Sequence, residues 1–425
     1  MAETLLIIFV LFVVVGMPIS IALGVGALGA ALLYPALNPI IIPARFVGLL
    51  SDSYLLLSAP LFILAGNLAA RGGVARAIID LATALVGRFR GGLAYVNIVD
   101  SMIFGGISGS AVADVSALGT FLIPQMERKG YDRDFATALT ISTAIMAPII
   151  PPSIIAVIYA WMADESVAAI FAAGYLPGLL VGIGMAVPVF VISRKRNYPK
   201  EKPPTAREFM VVLRNALPAL MIPIIIMGGI LTGVFTPTES AAVACVYAFL
   251  VTLFVYRDYK WRDLPHLIHR VVKTVAMVMM LIGFSVGFGY MMAIMQIPAK
   301  VTAFFLTVSD NKYVFLLLIN LLLLLLGTFM DLAPMLLICT PIFMPVILKL
   351  GIDPVHFGMI MILNLGIGLI TPPVGPTLFV GCAIGKVSME EVSKELWPFY
   401  GAMCLALLLV TYIPALSLWL PGLAK

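Results

Sequence analysis

Gly105-Gly106-Ile107-Ser108-Gly109-Ser110-Ala111-Val112-Ala113-Asp114 is a small-residue island in an otherwise apolar chain, and the second half holds a counterpart. Shifting the numbering by 221 places Gly106 on Gly327, in the stretch Gly327-Thr328-Phe329-Met330-Asp331-Leu332-Ala333-Pro334. Without a gap, the same shift carries Pro124 onto Pro345, Gly130 onto Gly351 and Asp132 onto Asp353. It also carries Pro151-Pro152 onto Pro372-Pro373 and Pro177 onto Pro398. Most of these are turn formers or helix breakers, the residues on which a backbone shape depends most. One register held over about seventy residues at such positions reads as an internal duplication.

Of the 425 residues, 62% are apolar and 11% charged, where a soluble domain carries about 25% charged residues. Nearly every stretch between a few basic segments is apolar enough to cross a bilayer. The composition predicts an all-α polytopic membrane protein. The net charge of +5 gathers in a few loops, which topology explains better than a nucleic-acid partner. Cys245, Cys339, Cys382 and Cys404 lie scattered in apolar segments without CxxC spacing, so they read as buried inert thiols. His266, His269 and His356 read as loop residues. No HExxH, GxSxG or phosphate-binding loop is present, so neither an enzyme nor an ATP-driven pump is indicated. The N-terminus lacks a basic n-region and a small-residue cleavage site, so Leu5–Tyr34 reads as mature membrane segment.

Leu5–Tyr34 is interrupted at Gly16-Met17-Pro18 and is either two short helices or one kinked helix. Tyr54–Ala70 is a further span, followed by a basic amphipathic stretch with Arg71, Arg76, Arg88 and Arg90. Gly91–Met126 carries the small-residue island at its midpoint, and Phe135–Met162 breaks at Pro148-Ile149-Ile150-Pro151-Pro152. Val167–Ile192 leads to a basic linker, giving a first repeat over 1–192, a cytoplasmic linker over 193–216 and a second repeat over 217–425. In the second repeat, Leu217–Phe235 and Ser240–Tyr256 flank a turn at Thr236-Pro237-Thr238, where Glu239 reads as a helix cap. A basic loop over 257–273 and the span Thr274–Ile297 follow. Tyr313–Met344 holds the second island, Phe357–Ile384 breaks at Thr371-Pro372-Pro373, and Lys386 to Glu395 is a charged loop before Pro398–Leu420.

Residues 71–134 hold seven Lys and Arg, and the shifted window 292–355 holds three (Lys300, Lys312, Lys349). Basic short loops stay cytoplasmic, so the two halves are expected to be inverted relative to each other, with both termini periplasmic. Each island then lies in a pair of full spans or, as the small residues favour, at the tip of a re-entrant hairpin, over 91–126 and 313–344, with a broken helix over 135–162 and 357–384. Proline frees carbonyls from the helix ladder, and these with Ser and Thr hydroxyls are hard oxygen ligands suited to Na⁺. Half-helix N-termini offer partial positive charge to an anion. Small-residue segments also serve as packing surfaces, and Pro-Pro also serves as a plain kink. Four such motifs at matching places favour a site. Asp114 and Asp331 sit just past the tips as ion ligands or caps, whereas Asp100 has Leu321 at its counterpart. Asn67, Asn97 and Asn364 line a polar path or bridge helices.

At these residues the chain resembles the large membrane subunit of tripartite ATP-independent periplasmic (TRAP) transporters, the DctM-like family. The carrying stretches are Pro60-Leu61-Phe62-Ile63-Leu64-Ala65-Gly66-Asn67, Phe104 to Asp114, and Ala147-Pro148-Ile149-Ile150-Pro151-Pro152-Ser153. Phe235-Thr236-Pro237-Thr238-Glu239 and Ile370-Thr371-Pro372-Pro373-Val374-Gly375 complete them. The resemblance implies a bacterial inner-membrane, Na⁺-coupled importer of a small carboxylate, such as a C4-dicarboxylate or a sialic acid, with an elevator mechanism. It implies a periplasmic substrate-binding protein and a small four-helix membrane subunit as partners, and at least two coupling Na⁺ ions. One Na⁺ would lie among Gly106, Ser108, Ser110, Asp114, Pro148 and Pro151, and another among Gly327, Thr328, Asp331, Gly368 and Thr371. Substrate would sit between them at Pro152, Ser153, Pro373 and Gly375. A carrier of the same plan that needs no binding protein is the alternative expectation.

Overall fold

The computed structural model describes residues 2–33, 38–70, 72–308 and 311–423, and the regular elements among them are all helical. Tyr34, Arg71 and both terminal residues therefore lie outside the described residues. Six helices there are long and apolar enough to cross a membrane, the longest apolar stretch running over Trp261–Ile294. Large apolar side chains such as Val14, Val187 and Phe254 are exposed. A bilayer accounts for that outward apolar surface.

The first apolar stretch is two helices, α1 (Ala2–Val14) and α2 (Ile19–Leu32). Gly16 between them has φ +88°, a left-handed geometry that glycine adopts without cost. α3 (Ile41–Asp52), which the sequence reading passed over, meets α4 (Ser58–Ala69) at a bend of 63°. α5 (Gly73–Val86) is the amphipathic stretch. α6 (Gly92–Ser108) and α7 (Ala111–Arg128) form the first hairpin. α8 (Arg133–Thr143) and α9 (Ile154–Ala163) are the halves of the first broken helix, and α10 (Val167–Lys195) ends the first half.

The second half runs α11 (Ala206–Leu231), α12 (Pro237–Leu250), α13 (Leu264–Ile294) and α14 (Ile297–Val308). α15 (Lys312–Gly327) and α16 (Leu332–Lys349) are the second hairpin, and α17 (Pro354–Gly368) and α18 (Pro376–Gly385) the second broken helix. α19 (Met389–Tyr412) and α20 (Ala415–Leu423) close the described chain.

Several expected loops are helical. α10 and α11 reduce the linker to residues 196–205. His266, His269, Arg270 and Lys273 lie on α13, residues 300–308 on α14, and the charged 389–395 segment on α19. His356 lies on α17 and is buried, its Nε2 3.2 Å from the Thr411 carbonyl. Charge lowers hydropathy but leaves the backbone ladder intact, so exposed charged helix turns have the composition of loops. Glu239 does cap: its carboxylate accepts from the Thr236 amide at 2.8 Å.

Helix bounds repeat under the 221 shift, most clearly where α7 falls on Leu332–Lys349, the bounds of α16. Packing between the halves is reciprocal. α7 lies on α18 while α16 lies on α9, and α8 lies on α19 while α17 lies on α10. At one end, Arg133 Nε at the start of α8 donates to the Gly385 carbonyl at the end of α18, 2.6 Å away. At the other, the Tyr159 hydroxyl on α9 donates to the Pro354 carbonyl at the start of α17, also at 2.6 Å. The two broken helices therefore lie head to tail. Around them, α2 and α3 pack on α13, α4 on α12, and α5 on α11.

Candidate functional site

In the first half, Gly109 ends α6 in the left-handed region (φ +59°) and Ser110 caps α7, its Oγ accepting from the Ala113 amide at 3.4 Å. A two-residue tip results. It rests on the first break backbone to backbone. A Cβ built on Gly105 would stand 2.8 Å from Ala147 Cα, one on Gly106 3.0 Å from the Pro151 carbonyl oxygen, and one on Gly109 3.1 Å from that of Pro152. Gly66 on α4 closes the other side, 3.2 Å from Ser108 Cα by the same measure. Glycine is required here because any side chain would fill the space that the facing backbone occupies.

The break itself loses its helical partners where the prolines fall. The Ser153 hydroxyl donates to the Pro148 carbonyl at 2.7 Å and accepts from the Ala156 amide at 3.2 Å. Among the described residues, the carbonyls of Ile149, Ile150, Pro151 and Pro152 accept no hydrogen bond. Pro151-Pro152 is cis, as is Pro372-Pro373. The Ser108 hydroxyl is buried and unpartnered among the described residues. Gly106, Ser108, Pro148, Pro151, Pro152 and Ser153 are thus brought together, with unpaired carbonyls in the break and an unpartnered hydroxyl in the tip.

In the second half, Asp331 caps α16, its Oδ1 accepting from the Leu332 amide at 2.8 Å. Its shifted counterpart is Ser110, not Asp114. The tip joins its break directly: the Val374 amide donates to the Thr328 carbonyl at 3.2 Å, and a Cβ on Gly327 would meet Gly368 Cα at 3.3 Å. The Thr371 hydroxyl donates to the Ile367 carbonyl and that of Thr328 to the Leu325 carbonyl. Gly375 (φ +31°) starts α18, with the Thr371 carbonyl oxygen 3.1 Å from its built Cβ. Thr377, absent from the sequence-predicted set, carries a buried hydroxyl without a partner among the described residues. Its signal was available: it stands two residues past Gly375, in the first turn after the break.

Each half thus brings two helix C-termini (α6 with α8, α15 with α17) and two helix N-termini (α7 with α9, α16 with α18) to one gap. Carbonyl ends suit a cation and amide ends an anion, with no full charge needed to hold either.

Asp114 does not join the tip. It is buried one turn inside α7, where Ser101 donates to its Oδ2 at 2.8 Å. Ser101 also bonds Thr143 (3.0 Å), Thr143 donates to Asn97 (2.9 Å), and Asn97 donates to Thr140 (2.6 Å). Asp100 is fully buried beside this chain, and neither of its carboxylate oxygens has a partner among the described residues. Asn364 bridges to Asn320 (2.8 Å), and Asn320 to Thr411 (2.9 Å), while Asn67 turns back to the Ile63 carbonyl. Asn97 and Asn364 therefore bridge helices.

The family described as tripartite ATP-independent periplasmic transporter, DctM component, matches residues 6–416. A C4-dicarboxylate TRAP transporter large permease protein DctM of Pseudomonas aeruginosa is 40% identical over 372 residues, covering 88% of this chain and 87% of that one. A sialic acid TRAP transporter large permease protein SiaM of Vibrio cholerae is 40% identical with the same coverage. Among solved structures, the YdaH transporter of Alcanivorax borkumensis shares the fold with a TM-score of 0.58 at 14% identity, over 88% of each chain.

Proposed function

The chain belongs to the DctM family, the large component of TRAP transporters, and we propose that it is the permease subunit of a Na⁺-coupled, binding-protein-dependent importer of a small organic acid. The observation that carries this is the pair of gaps. Two glycine tips meet two proline breaks at equivalent places, and unpaired carbonyls and a buried hydroxyl line the first of them. Such oxygens suit Na⁺, and the four helix N-termini suit a carboxylate between the ions. The head-to-tail broken helices support the inverted relation of the halves, and with it a site near the midplane. The relatives named for C4-dicarboxylate and sialic acid support a carboxylate substrate. Gap-bearing helices that pack reciprocally, ringed by α1–α5 with α11–α13, support an elevator in which the former move against the latter. The partners are a small membrane subunit and a periplasmic binding protein, in a bacterial inner membrane.

Proteoliposomes carrying both membrane subunits test the reading. Uptake of the acid should require an inward Na⁺ gradient and the loaded binding protein. Uptake by this chain alone points instead to a carrier that needs no binding protein, and unsaturable flux indifferent to Na⁺ points to a channel. Ser110→Ala and Thr328→Ala should each raise the Na⁺ concentration for half-maximal uptake by about tenfold, the loss of roughly one oxygen contact. An unchanged Na⁺ response in both rejects the tips as ion ligands.

A further inference from the structure

A polar cavity of about 170 Å³ lies between the end of α4 and the start of α13. Arg262, His266 and Arg270 line it together with Asn67, Tyr259 and Asp263. The three basic residues recur every four positions and so form one stripe across the short turn Trp261–Asp263 and the first turns of α13. Among the described residues they make no ion pair. The carboxylate in the cavity is engaged: Asp263 Oδ2 accepts from the Lys260 amide at 3.2 Å. The Tyr259 hydroxyl donates to the Asn67 carbonyl at 3.1 Å, which joins the two walls.

The place of this cavity along α13 identifies its ligand. A helix of 31 residues is about 46 Å long, against about 30 Å of bilayer hydrocarbon. The excess falls at the N-terminal end, where Arg262, His266, Arg270 and Lys273 lie, since the C-terminal end at Ile294 is apolar. Trp261, 66% exposed and set edge-on against Phe249, marks the same level as the interface. Below Arg270 the stripe continues to Met277, which is 64% exposed. Exposed cations at headgroup depth, an open polar recess and an apolar path beneath form the surroundings of a charged lipid. We infer that this cavity binds the phosphate of an anionic phospholipid, pinning α4 to α13.

The inference is independent of the transport reading and is tested on the purified full-length protein. Delipidated protein is titrated with cardiolipin, phosphatidylglycerol, phosphatidylethanolamine or inorganic phosphate, with bound lipid counted by native mass spectrometry and the thermal midpoint followed. The wild type should hold one anionic lipid and gain thermal stability from it. Arg262→Ala with Arg270→Ala should bind it about 25-fold more weakly, at about fivefold per basic residue near a membrane surface. Arg262→Lys with Arg270→Lys should keep most of the affinity, so a folded variant remains if the alanine pair does not fold. Arg88→Ala with Arg90→Ala, at an exposed basic turn elsewhere, should change nothing. Equal binding by the alanine pair, equal retention of phosphatidylethanolamine, or displacement of the lipid by millimolar phosphate would each overturn the assignment.

Discussion

The two gaps follow one backbone plan but differ in closure. Residues 144–153 of the first break are buried throughout, with Ile149 2% and Ile150 7% exposed. In the second, Pro372 and Pro373 are exposed, Val374 is 38% exposed, and Phe329 at the facing tip is 56% exposed. The residues at the shifted positions explain the difference. Gly105, Gly106 and Gly109 become Leu326, Gly327 and Met330. Three glycines let the first tip lie closely on its break at three positions, whereas the second tip keeps one such glycine and otherwise meets its break through the Thr328 carbonyl. Symmetry of plan therefore does not impose symmetry of access. The number of glycines sets how tightly each gap is shut.

Exchange of the differing residues tests this most severely. Gly105→Leu, which installs the second tip's residue in the first, drives a Cβ to 2.8 Å from Ala147 Cα. Backbone cannot rotate away as a side chain can, so the cost should reach the upper end of about 1–3 kcal/mol for overpacking, or more. The reverse change, Leu326→Gly, removes a half-buried side chain and should cost about 1 kcal/mol in helix propensity. Thermal midpoints in detergent, read by size-exclusion recovery, measure both. Equal losses would show that the first gap owes nothing to its glycines.

The second contrast is chemical. The first hairpin encloses a carboxylate chain, whereas Asp100, Ser101 and Asp114 have Leu321, Leu322 and Met335 as counterparts. The two buried carboxylates should also differ from each other. Asp114 accepts a hydrogen bond and anchors Ser101 and Thr143; Asp100 accepts none among the described residues. Asp114→Leu should destabilise by about 1–3 kcal/mol because it strands donors. Asp100→Leu should stabilise by a similar amount, as a partnerless buried polar group is exchanged for an apolar one. If both midpoints fall together, Asp100 holds something essential to the fold.

Both helix pairs and both breaks were legible because glycine and proline constrain the backbone wherever they stand. Gly106, Pro151 and Gly327 could be paired with their partners from register alone. What stayed hidden depends on side chains meeting across the fold. Asp114 reads as an ion ligand or a cap just past the tip, and the sequence does not show that Ser101, 13 residues earlier, donates to it. Thr371 stands just past the end of α17, and its hydroxyl donates to the Ile367 carbonyl, a bond that spacing alone does not reveal. α3 and α14 were missed because polar or charged residues interrupt their apolar runs, lowering the hydropathy of helices that packing against α13 and α16 supports.

The smallest contrast lies at Asp132 and Asp353, one residue under the shift. Asp353 caps α17, accepting from the Val355 amide at 2.8 Å. Asp132 holds the same place before α8 but makes no side-chain cap. It accepts instead from Arg196 (2.8 Å) and from the Tyr198 hydroxyl (2.7 Å), while Arg196 clasps Glu395 of α19 through two bonds. This clamp is partly exposed, so Arg196→Ala should cost only about 1 kcal/mol, much as Asp353→Ala should for a lost cap. Alkali separates the two. Burial, and the bond to Asp132, push the Tyr198 phenol up to about 12, with Arg196 pulling the other way. The folded state thus favours the protonated phenol, and its stabilisation is complete below the ordinary tyrosine value of 10.0. It is lost as pH rises from there through about 12. Thermal midpoints over that window should fall less in Tyr198→Phe than in the wild type and fall fully in Asp353→Ala. The same decline in Tyr198→Phe as in the wild type would mean that the clamp's proton plays no part in holding the linker to the second half.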